Sequence, residues 1–291
     1  MDKQALEDAM TRSGWPQVWE DQLDGLWSKI EHLPSRRGFQ RLLSNIRSSN
    51  DKSNFVASVL EVTFAYQFES AGIELDYEVK QDPSHPSSVD FRWKVSPKLT
   101  VYIETRLLQQ DKATTDSIEC QLHAANAWSV AQDGDDDQKD IIRVQQVIRE
   151  KVQKEDGTPT KFFLRDQGTI NIVAVDISQI ILGMFDHDDC LLVGHGDPAV
   201  APVCQRGVFG LFQELRPEYP DRIRALAESY SHIKETLHGL LFLFKRPKQE
   251  RFNYSLEYFL VWNPSLMNKA DAAEICDQIK RAMPLYKKRE E

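Results

Sequence analysis

Apolar residues near the start of the chain recur at helical spacing. They repeat at steps of three or four positions, at Trp15, Trp19, Leu23, Leu26 and Ile30. Because this spacing puts apolar side chains on one face of a helix, residues 1–50 are predicted to form a helical segment before the main fold.

A second amphipathic stripe runs through residues 54–70. Its apolar positions are 55, 56, 59, 60, 63 and 64, which form one broad helical face. Ala71-Gly72 is the predicted end of this helix, since glycine is favoured directly after a helix C-terminus. Glu61 falls at the edge of the apolar face.

Strand patterns, in which apolar residues alternate or run continuously, follow this helix. The predicted strands are 73–79, the two arms of 88–106, 169–177, 239–244 and 254–262. Helical patterns are predicted at 141–153, 221–237 and 270–283, and the polar stretch 111–140 is predicted to be a long loop. The succession predicts an α/β fold with a mixed central sheet flanked by helices.

Composition is typical of a folded, soluble protein, with 41% hydrophobic and 28% charged residues among 291. This length suits one large domain with an appendage, so we expect an N-terminal helical segment at 1–50 and an α/β domain at 51–291. The first ten residues, MDKQALEDAM, lack a signal-peptide core, and the longest apolar runs are too short to span a bilayer. A cytoplasmic protein without a membrane partner is expected.

The cysteines are scattered through the chain without a CxxC pair. They are Cys120, Cys190, Cys204 and Cys276. This spacing argues against a structural zinc site and a disulfide framework, so reduced thiols are expected.

The formal net charge of −9 excludes general attraction of nucleic acid to the whole surface. A nucleic-acid partner such as DNA would need a local basic patch. Two stretches offer one: 35–41 together with Arg47, and 245–251. Both are also compatible with ordinary solvated surface, which is the more frequent role of such charge runs.

Residues 88–106, SVDFRWKVSPKLTVYIETR, predict a β-hairpin that turns at Pro97. If residues whose numbers sum to 194 face each other, three apolar pairs result: Phe91 with Ile103, Trp93 with Val101, and Val95 with Leu99. The same register places Asp90 opposite Glu104 and Arg106 on their side of the hairpin.

Two carboxylates that face each other across a hairpin repel and require compensation. A hard divalent cation such as Mg²⁺ is one source, because it prefers oxygen ligands from one or two carboxylates. The other is an ordinary solvated face on which Arg92 and Arg106 neutralise the acids. The spacing alone leaves both interpretations open.

This part of the chain resembles the PD-(D/E)XK nuclease superfamily, the restriction-endonuclease-like fold. The resemblance rests on a helix with Glu61, a strand with Glu78, ValAspPhe at 89–91 and TyrIleGluThrArg at 102–106. The helix at 141–153 and the strand TINIVAVDI would complete the αβββαβ order of that family. The resemblance covers roughly residues 50–180, which leaves 181–291 as a C-terminal strand and helix extension.

The resemblance implies a metal-dependent centre, with Mg²⁺ or Mn²⁺, that hydrolyses phosphodiester bonds in DNA. Asp90, Glu104 and the backbone carbonyl of Thr105 would hold the metal, and Glu61 would complete the acidic centre or orient a metal-bound water. Cleavage of both strands of a duplex would call for two active sites and hence a homodimer.

The family's ExK lysine is replaced here by Arg106, which keeps the charge but cannot release a proton. Arg106 is therefore expected to give electrostatic support. Two functions follow: a magnesium-dependent endo- or exodeoxyribonuclease, or a catalytically inactive member of the fold that binds nucleic acid or protein. Lys151 and Gln145 lie on the predicted helix that often faces the active site in this fold.

The segment 186–197 concentrates side chains able to bind metal. They are Asp186, His187, Asp188, Asp189, His195 and Asp197. The segment lacks the HExxH or HxH spacing of known metal sites, and aspartate, glycine and histidine are common turn residues, so a turn is the preferred interpretation.

Overall fold

The computed structural model describes residues 1–15, 20–34, 38–109, 116–117, 120–121, 134–163, 166–178, 185–197, 207–210, 229–246 and 252–287. In the helix that begins at residue 134, side chains are described from residue 139 onward. Residues 35–37 and 247–251 of the predicted basic patches lie outside these ranges, as do residues 221–228 of the helix predicted at 221–237.

The described residues form eight helices and six strands. The helices are α1 (Lys3–Arg12), α2 (Glu20–His32), α3 (Phe39–Ser48), α4 (Lys52–Ser70), α5 (Gly134–Val152), α6 (His187–His195), α7 (Ser231–Thr236) and α8 (Lys269–Ala282). The strands are β1 (Leu75–Val79), β2 (Val89–Ser96), β3 (Leu99–Leu107), β4 (Thr169–Asp176), β5 (Gly239–Lys245) and β6 (Leu256–Trp262).

The strands form one mixed open sheet in the order β1-β2-β3-β4-β5-β6. Strands β1, β2 and β3 are an antiparallel meander, β3, β4 and β5 are parallel, and β6 returns antiparallel to β5. Strands β4 and β5 are buried along nearly their whole length, as expected for central strands covered on both faces. The predicted α/β class with a mixed sheet is confirmed.

Helices cover both faces of the sheet, and each face has its own apolar core. One core joins the sheet to α1, α2, α3, α4 and α8. The other core joins it to α5, α6 and α7. The predicted helical segment at the start of the chain therefore packs directly on α4 and contributes to the first core.

Most predicted elements occur within a few residues of their predicted bounds. The end of α4 is as expected, since Gly72 has a φ of +75°, a left-handed conformation that glycine adopts without strain. The loop predicted at 111–140 is wrong at its end, because α5 already begins at Gly134 and includes Asp135, Asp136 and Asp137. Acidic residues are favourable in the first turn of a helix, which explains why a polar run there does not exclude helix.

The hairpin of β2 and β3 has the predicted register in its central part. Phe91 pairs with Ile103 and Trp93 with Val101. The predicted pairing of Val95 with Leu99 is wrong: a bulge between residues 94 and 96 shifts the register, and Ser96 pairs with Leu99. The bulge takes up one extra residue next to the turn, which alternation alone does not reveal.

Within the described ranges, no helix has both the length and the apolar character needed to cross a membrane. The described cysteines, Cys120, Cys190 and Cys276, are free thiols, as predicted. Cys204 lies outside the described residues.

Candidate functional site

The predicted acidic residues meet where β2 begins and β3 nears its end. Strands β2 and β3 contribute Asp90 and Glu104, α4 contributes Glu61, and α5 contributes Lys151 across from them. Glu61 interacts electrostatically with both other carboxylates. Residues from three separate elements are thus gathered into one cluster, here called the acidic centre: Glu61, Asp90 and Glu104.

Asp90 is fixed by the neighbouring strand. Its Oδ2 accepts hydrogen bonds from the backbone amide of Thr105 at 2.7 Å and from the Thr105 hydroxyl at 2.6 Å. The backbone pairs of the hairpin run from Ser96–Leu99 to Phe91–Ile103. Beyond the Phe91–Ile103 pair, the Asp90 carboxylate accepts from the Thr105 amide in place of a backbone carbonyl. The amide and the hydroxyl of Thr105 together set the orientation of the carboxylate.

Glu104 is the most deeply buried acid of the centre, with 1% of its surface exposed. Its Oε1 lies 2.7 Å from Lys151 Nζ, and its Oε2 lies 3.1 Å from Lys161 Nζ. Burial, and then the charge of Asp90, raise the pKa of the Glu104 carboxyl, while the two lysines act in the opposite direction. The two ammonium groups therefore only partly compensate for burial and for the neighbouring acid.

Lys161 reaches the centre because the chain folds back after α5. The backbone amide of Thr160 donates to the carbonyl oxygen of Val152 at 2.9 Å, and the Thr160 hydroxyl donates to the carbonyl oxygen of Lys151 at 2.9 Å. Lys161 Nζ also donates to the carbonyl oxygen of Ser88, just before β2. The return of the chain places Lys161 and Lys151 on the two oxygens of the same carboxylate.

Glu61 shares a hydrogen bond with a buried tyrosine. The Tyr77 hydroxyl on β1 donates to Glu61 Oε2 at 2.6 Å. Burial, together with the negative charges of Asp90 and Glu104, raises the pKa of Glu61 to about 8, although Tyr77 and Lys151 lower it. A carboxyl with this pKa carries a proton through much of the neutral range.

Lys151 remains a cation. Burial lowers its pKa, but the charges of Glu104 and Asp90 outweigh burial, so that the pKa lies above the ordinary value of 10.5. Its ammonium group is therefore a permanent positive charge at neutral pH and has no role as a base.

The cations beside the acids are not the two arginines proposed from the sequence. Arg92 Nη2 forms an ion pair with Asp76 Oδ2 at 2.7 Å on the opposite side of β2 from β3. Arg106 is exposed and, within the described residues, forms no ion pair with Asp90 or Glu104. Lysines from α5 and from the loop after it reach Glu104 instead, because they approach it from the covered face of the sheet.

The acids do not converge as a ready metal site. Among the described residues, no group of three or more histidine, cysteine, aspartate or glutamate side chains is arranged to hold a metal ion. The donor chemistry nevertheless fits a hard cation, since the nearby carboxylates repel one another. Glu104 Oε2 is also buried without a hydrogen-bond partner in the described part of the chain, although Lys161 lies near it.

The Asp- and His-rich segment at 186–197 is a helix start. The Asp186 side chain accepts from the backbone amide of Asp189 at 3.3 Å, and Asp189 Oδ2 accepts from the Asp186 amide at 2.9 Å, which forms a capping box. His187 Nε2 lies 2.9 Å from the carbonyl oxygen of Tyr286. The predicted turn is therefore wrong, because residues His187–His195 form α6 and the aspartates cap its start.

Two residues that contact the acidic centre had no signal in the sequence. Tyr77 is one of several apolar residues on β1, and Lys161 follows α5 in a stretch without periodicity. Lys151 lies on α5, the helix that was predicted to face the active site, and it forms an ion pair with Glu104. Gln145 does not, since its Nε2 lies 3.5 Å from the carbonyl oxygens of Leu192 and Val193 on α6.

Comparison of the chain with protein-family models, with curated proteins and with solved structures finds no match. The physical properties of the acidic centre are therefore the basis for assigning a function.

Proposed function

We propose that the protein is a metal-dependent nuclease of the PD-(D/E)XK type that hydrolyses phosphodiester bonds in DNA. The observation that carries the proposal is the meeting of Glu61, Asp90 and Glu104 with Lys151 at one end of a mixed sheet. The order of α4, β1, β2, β3, α5 and β4 supports it, because it is the αβββαβ order of that superfamily.

Asp90 and Glu104, with the backbone carbonyl of Thr105, would hold a Mg²⁺ or Mn²⁺ ion through oxygen ligands. When bound, such an ion lowers the pKa of a water ligand and stabilises negative charge on the phosphate. The Thr105 amide and hydroxyl hold one oxygen of Asp90, which leaves Oδ1 as the oxygen that faces a ligand.

Glu61 and Lys151 would act directly on the reacting groups. Glu61 can accept a proton at its carboxylate after a nearby cation has lowered its pKa from about 8. Lys151 would place a fixed positive charge near the phosphate, which is the electrostatic part of the role that lysine has in the ExK motif. Arg106 then becomes available for a separate contact with the substrate.

A second function is favoured by one specific observation. Glu104 already has lysine partners at 2.7 and 3.1 Å, and Asp90 already has two donors from Thr105. An acidic centre satisfied by protein groups has less need of a metal. This arrangement supports a non-catalytic member of the fold that binds nucleic acid or protein.

The first experiment is a calorimetric titration of the full chain with Mn²⁺, followed by cleavage assays on single- and double-stranded DNA and on RNA. We expect metal binding accompanied by proton release, because a cation lowers the raised pKa of Glu61. Proton release is measured by repeating the titration in buffers with different ionisation enthalpies.

The Asp90→Ala/Glu104→Ala double variant is expected to lose both metal binding and cleavage. The matched control is Asp76→Ala/Glu78→Ala, which removes the same two acidic side-chain types from β1, where each pairs with an arginine. Undiminished cleavage in the first double variant would refute the acidic centre as the active site. Folded parent protein that neither binds Mn²⁺ nor cleaves would favour the non-catalytic function.

A further inference from the structure

A cleft of about 390 Å³ opens beside the acidic centre. Its walls come from the first half of α4, the end of β3 with the residues that follow it, and the inner face of α5. Glu61 of the acidic centre lines it, and so does Lys151, the ion-pair partner of Glu104. A ligand in the cleft would therefore lie next to the proposed reaction site.

The cleft contains cations whose bonding capacity is not used. Arg106 lines it, is exposed, and forms no ion pair within the described residues. Arg143 lines it from α5, and its Nη2 donates to the carbonyl oxygen of Gln109. Its Nη1 is buried without a hydrogen-bond partner in the described part of the chain. An unsatisfied buried donor is costly, so an anion here would supply a missing acceptor.

The opposite wall adds positive potential. Ser53 and Asn54 in the first turn of α4 line the cleft. The N-terminus of a 19-residue helix carries a partial positive charge from its aligned peptide dipoles. The N-cap residue Asp51 accepts from the backbone amide of Asn54 at 2.9 Å and offsets part of this charge.

We infer that this cleft is a binding site for one unpaired nucleotide, held by its phosphate between Arg106 and Arg143. The inference rests on the proposed function and specifies the form in which the substrate enters. A volume of about 390 Å³ lies in the range of small-molecule pockets and suits one nucleotide. A DNA duplex is too wide for a cleft of this volume, since its major groove alone measures about 12 Å across.

Arginine is suited to this contact because its planar fork can donate two parallel hydrogen bonds to phosphate oxygens. The arrangement favours a strand end or a single-stranded segment over the interior of a duplex. The protein would then act on DNA whose strands are already separated at the site of cleavage.

A second cleft on the other side of the meander provides a comparison. It has about 360 Å³ and is lined by Arg92, Arg281 and Lys94. Arg92 is paired with Asp76 at 2.7 Å, and Arg281 Nη2 donates to the carbonyl oxygen of Ala71 at 3.2 Å. Three cations therefore line a cleft of similar size here, but Glu74 and Asp76 also line it, and none of its guanidinium nitrogens is buried without a partner in the described part of the chain. Arg281 is therefore a suitable control position.

The test is equilibrium binding of deoxythymidine 5′-monophosphate to the full chain, in the absence of divalent metal. We expect saturable binding, with affinity reduced about ten- to hundredfold in Arg143→Gln, as the loss of a charge-assisted hydrogen bond predicts. Arg106→Gln is expected to give a similar loss, and Arg281→Gln no loss. Inorganic phosphate should compete, whereas thymidine without a phosphate should bind much more weakly.

Arg106→Gln keeps the test decisive if Arg143→Gln disturbs the fold, because Arg106 is exposed. Unchanged affinity in folded Arg106→Gln, or equal affinity for thymidine and its monophosphate, would overturn the inference. Since no metal is present, the nucleotide-binding result is independent of the Mn²⁺ titration. Nucleotide binding can fail although Mn²⁺ binds, and Mn²⁺ binding can fail although the nucleotide binds.

Discussion

Glu104 and Asp176 are two buried carboxylates on neighbouring parallel strands, and they differ in what surrounds them. Glu104 lies on β3 and Asp176 at the end of β4, and their exposed fractions are 1% and 0%. Each has a lysine nearby. Burial and charge alone therefore do not distinguish them.

One oxygen of Asp176 is held by the turn that follows it, whereas Oδ2, like Glu104 Oε2, is buried without a hydrogen-bond partner in the described part of the chain. Its Oδ1 accepts from the Ser178 backbone amide at 2.9 Å and from the Ser178 hydroxyl. The Ser178 hydroxyl oxygen in turn accepts from the backbone amide of Lys245 at 2.8 Å. Lys245 Nζ is 3.9 Å from Asp176 Oδ2, at the outer limit of an ion pair. Local donors thus tie the ends of β4 and β5 together.

Glu104 instead has partners from distant parts of the chain and repelling neighbours. Lys151 and Lys161, which follow the long segment after β3 in the sequence, form ion pairs with it. Burial and then the charge of Asp90 raise the pKa of the Glu104 carboxyl. A carboxylate bound to its own turn stabilises a strand end, whereas one held between cations and other acids stores unfavourable charge that a ligand can relieve. The comparison supports the proposal that Glu104 is functional, and it assigns Asp176 to the support of a strand end.

The largest expected effect concerns the lysines beside the two compared carboxylates, which are Lys151 beside Glu104 and Lys245 beside Asp176. Lys151→Met should reduce DNA cleavage about a thousandfold, because it removes a preorganised charge beside the reacting phosphate. Lys245→Met, which removes the lysine near Asp176, should leave the cleavage rate within about threefold of the parent, because it lies outside the acidic centre. Single-turnover rates at saturating metal measure both. Equal losses in the two variants would remove the functional distinction between the carboxylates.

The next largest effect is on stability, and it concerns Asp176 instead of the acidic centre. Asp176→Ala leaves the Ser178 amide and hydroxyl without their acceptor, so the free energy of unfolding should fall by about 3 kcal/mol in urea denaturation. Asp188→Ala, at an exposed acid in the first turn of α6, should change it by less than about 1 kcal/mol. A loss below about 1 kcal/mol in Asp176→Ala would contradict its structural role.

The smallest expected effect is a change of unfolding free energy with pH. It tests whether the pKa of Glu61 is raised in the folded protein. Between about pH 5 and 8 the folded protein holds a proton on Glu61 that the unfolded chain, with an ordinary pKa of 4.5, has released. The contribution of Glu61 to stability is therefore present at low pH and lost as the pH rises through about 8. In Glu61→Gln the amide oxygen still accepts from Tyr77 without becoming charged.

Relative to the parent, Glu61→Gln should thus gain about 2 kcal/mol of unfolding free energy between pH 5 and 8. Urea denaturation at several pH values measures this difference. Asp188→Ala again provides the control, since its difference from the parent should stay constant. A constant difference for Glu61→Gln as well would mean that Glu61 is already ionised at pH 5.

Several parts of the acidic centre could be predicted from local pattern. The alternation of residues 88–106 was enough to bring Asp90 and Glu104 to one end of a hairpin, and the helical stripe placed Glu61 at a core boundary. The bulge before the turn and the hydrogen bonds of Thr105 to Asp90 were beyond that pattern. They depend on how the strands separate at their ends, which side-chain periodicity does not encode.

The sequence by itself determined the strands, most of the helices and the α/β class, because a period of two or of 3.6 residues reports which face of an element is buried. Only the tertiary structure decided which cations meet the acids. Lys161 reaches Glu104 because the chain after α5 folds back, and Tyr77 reaches Glu61 because β1 packs beside α4. Such contacts join distant positions, and their energies depend on burial that arises only when both faces of the sheet are covered.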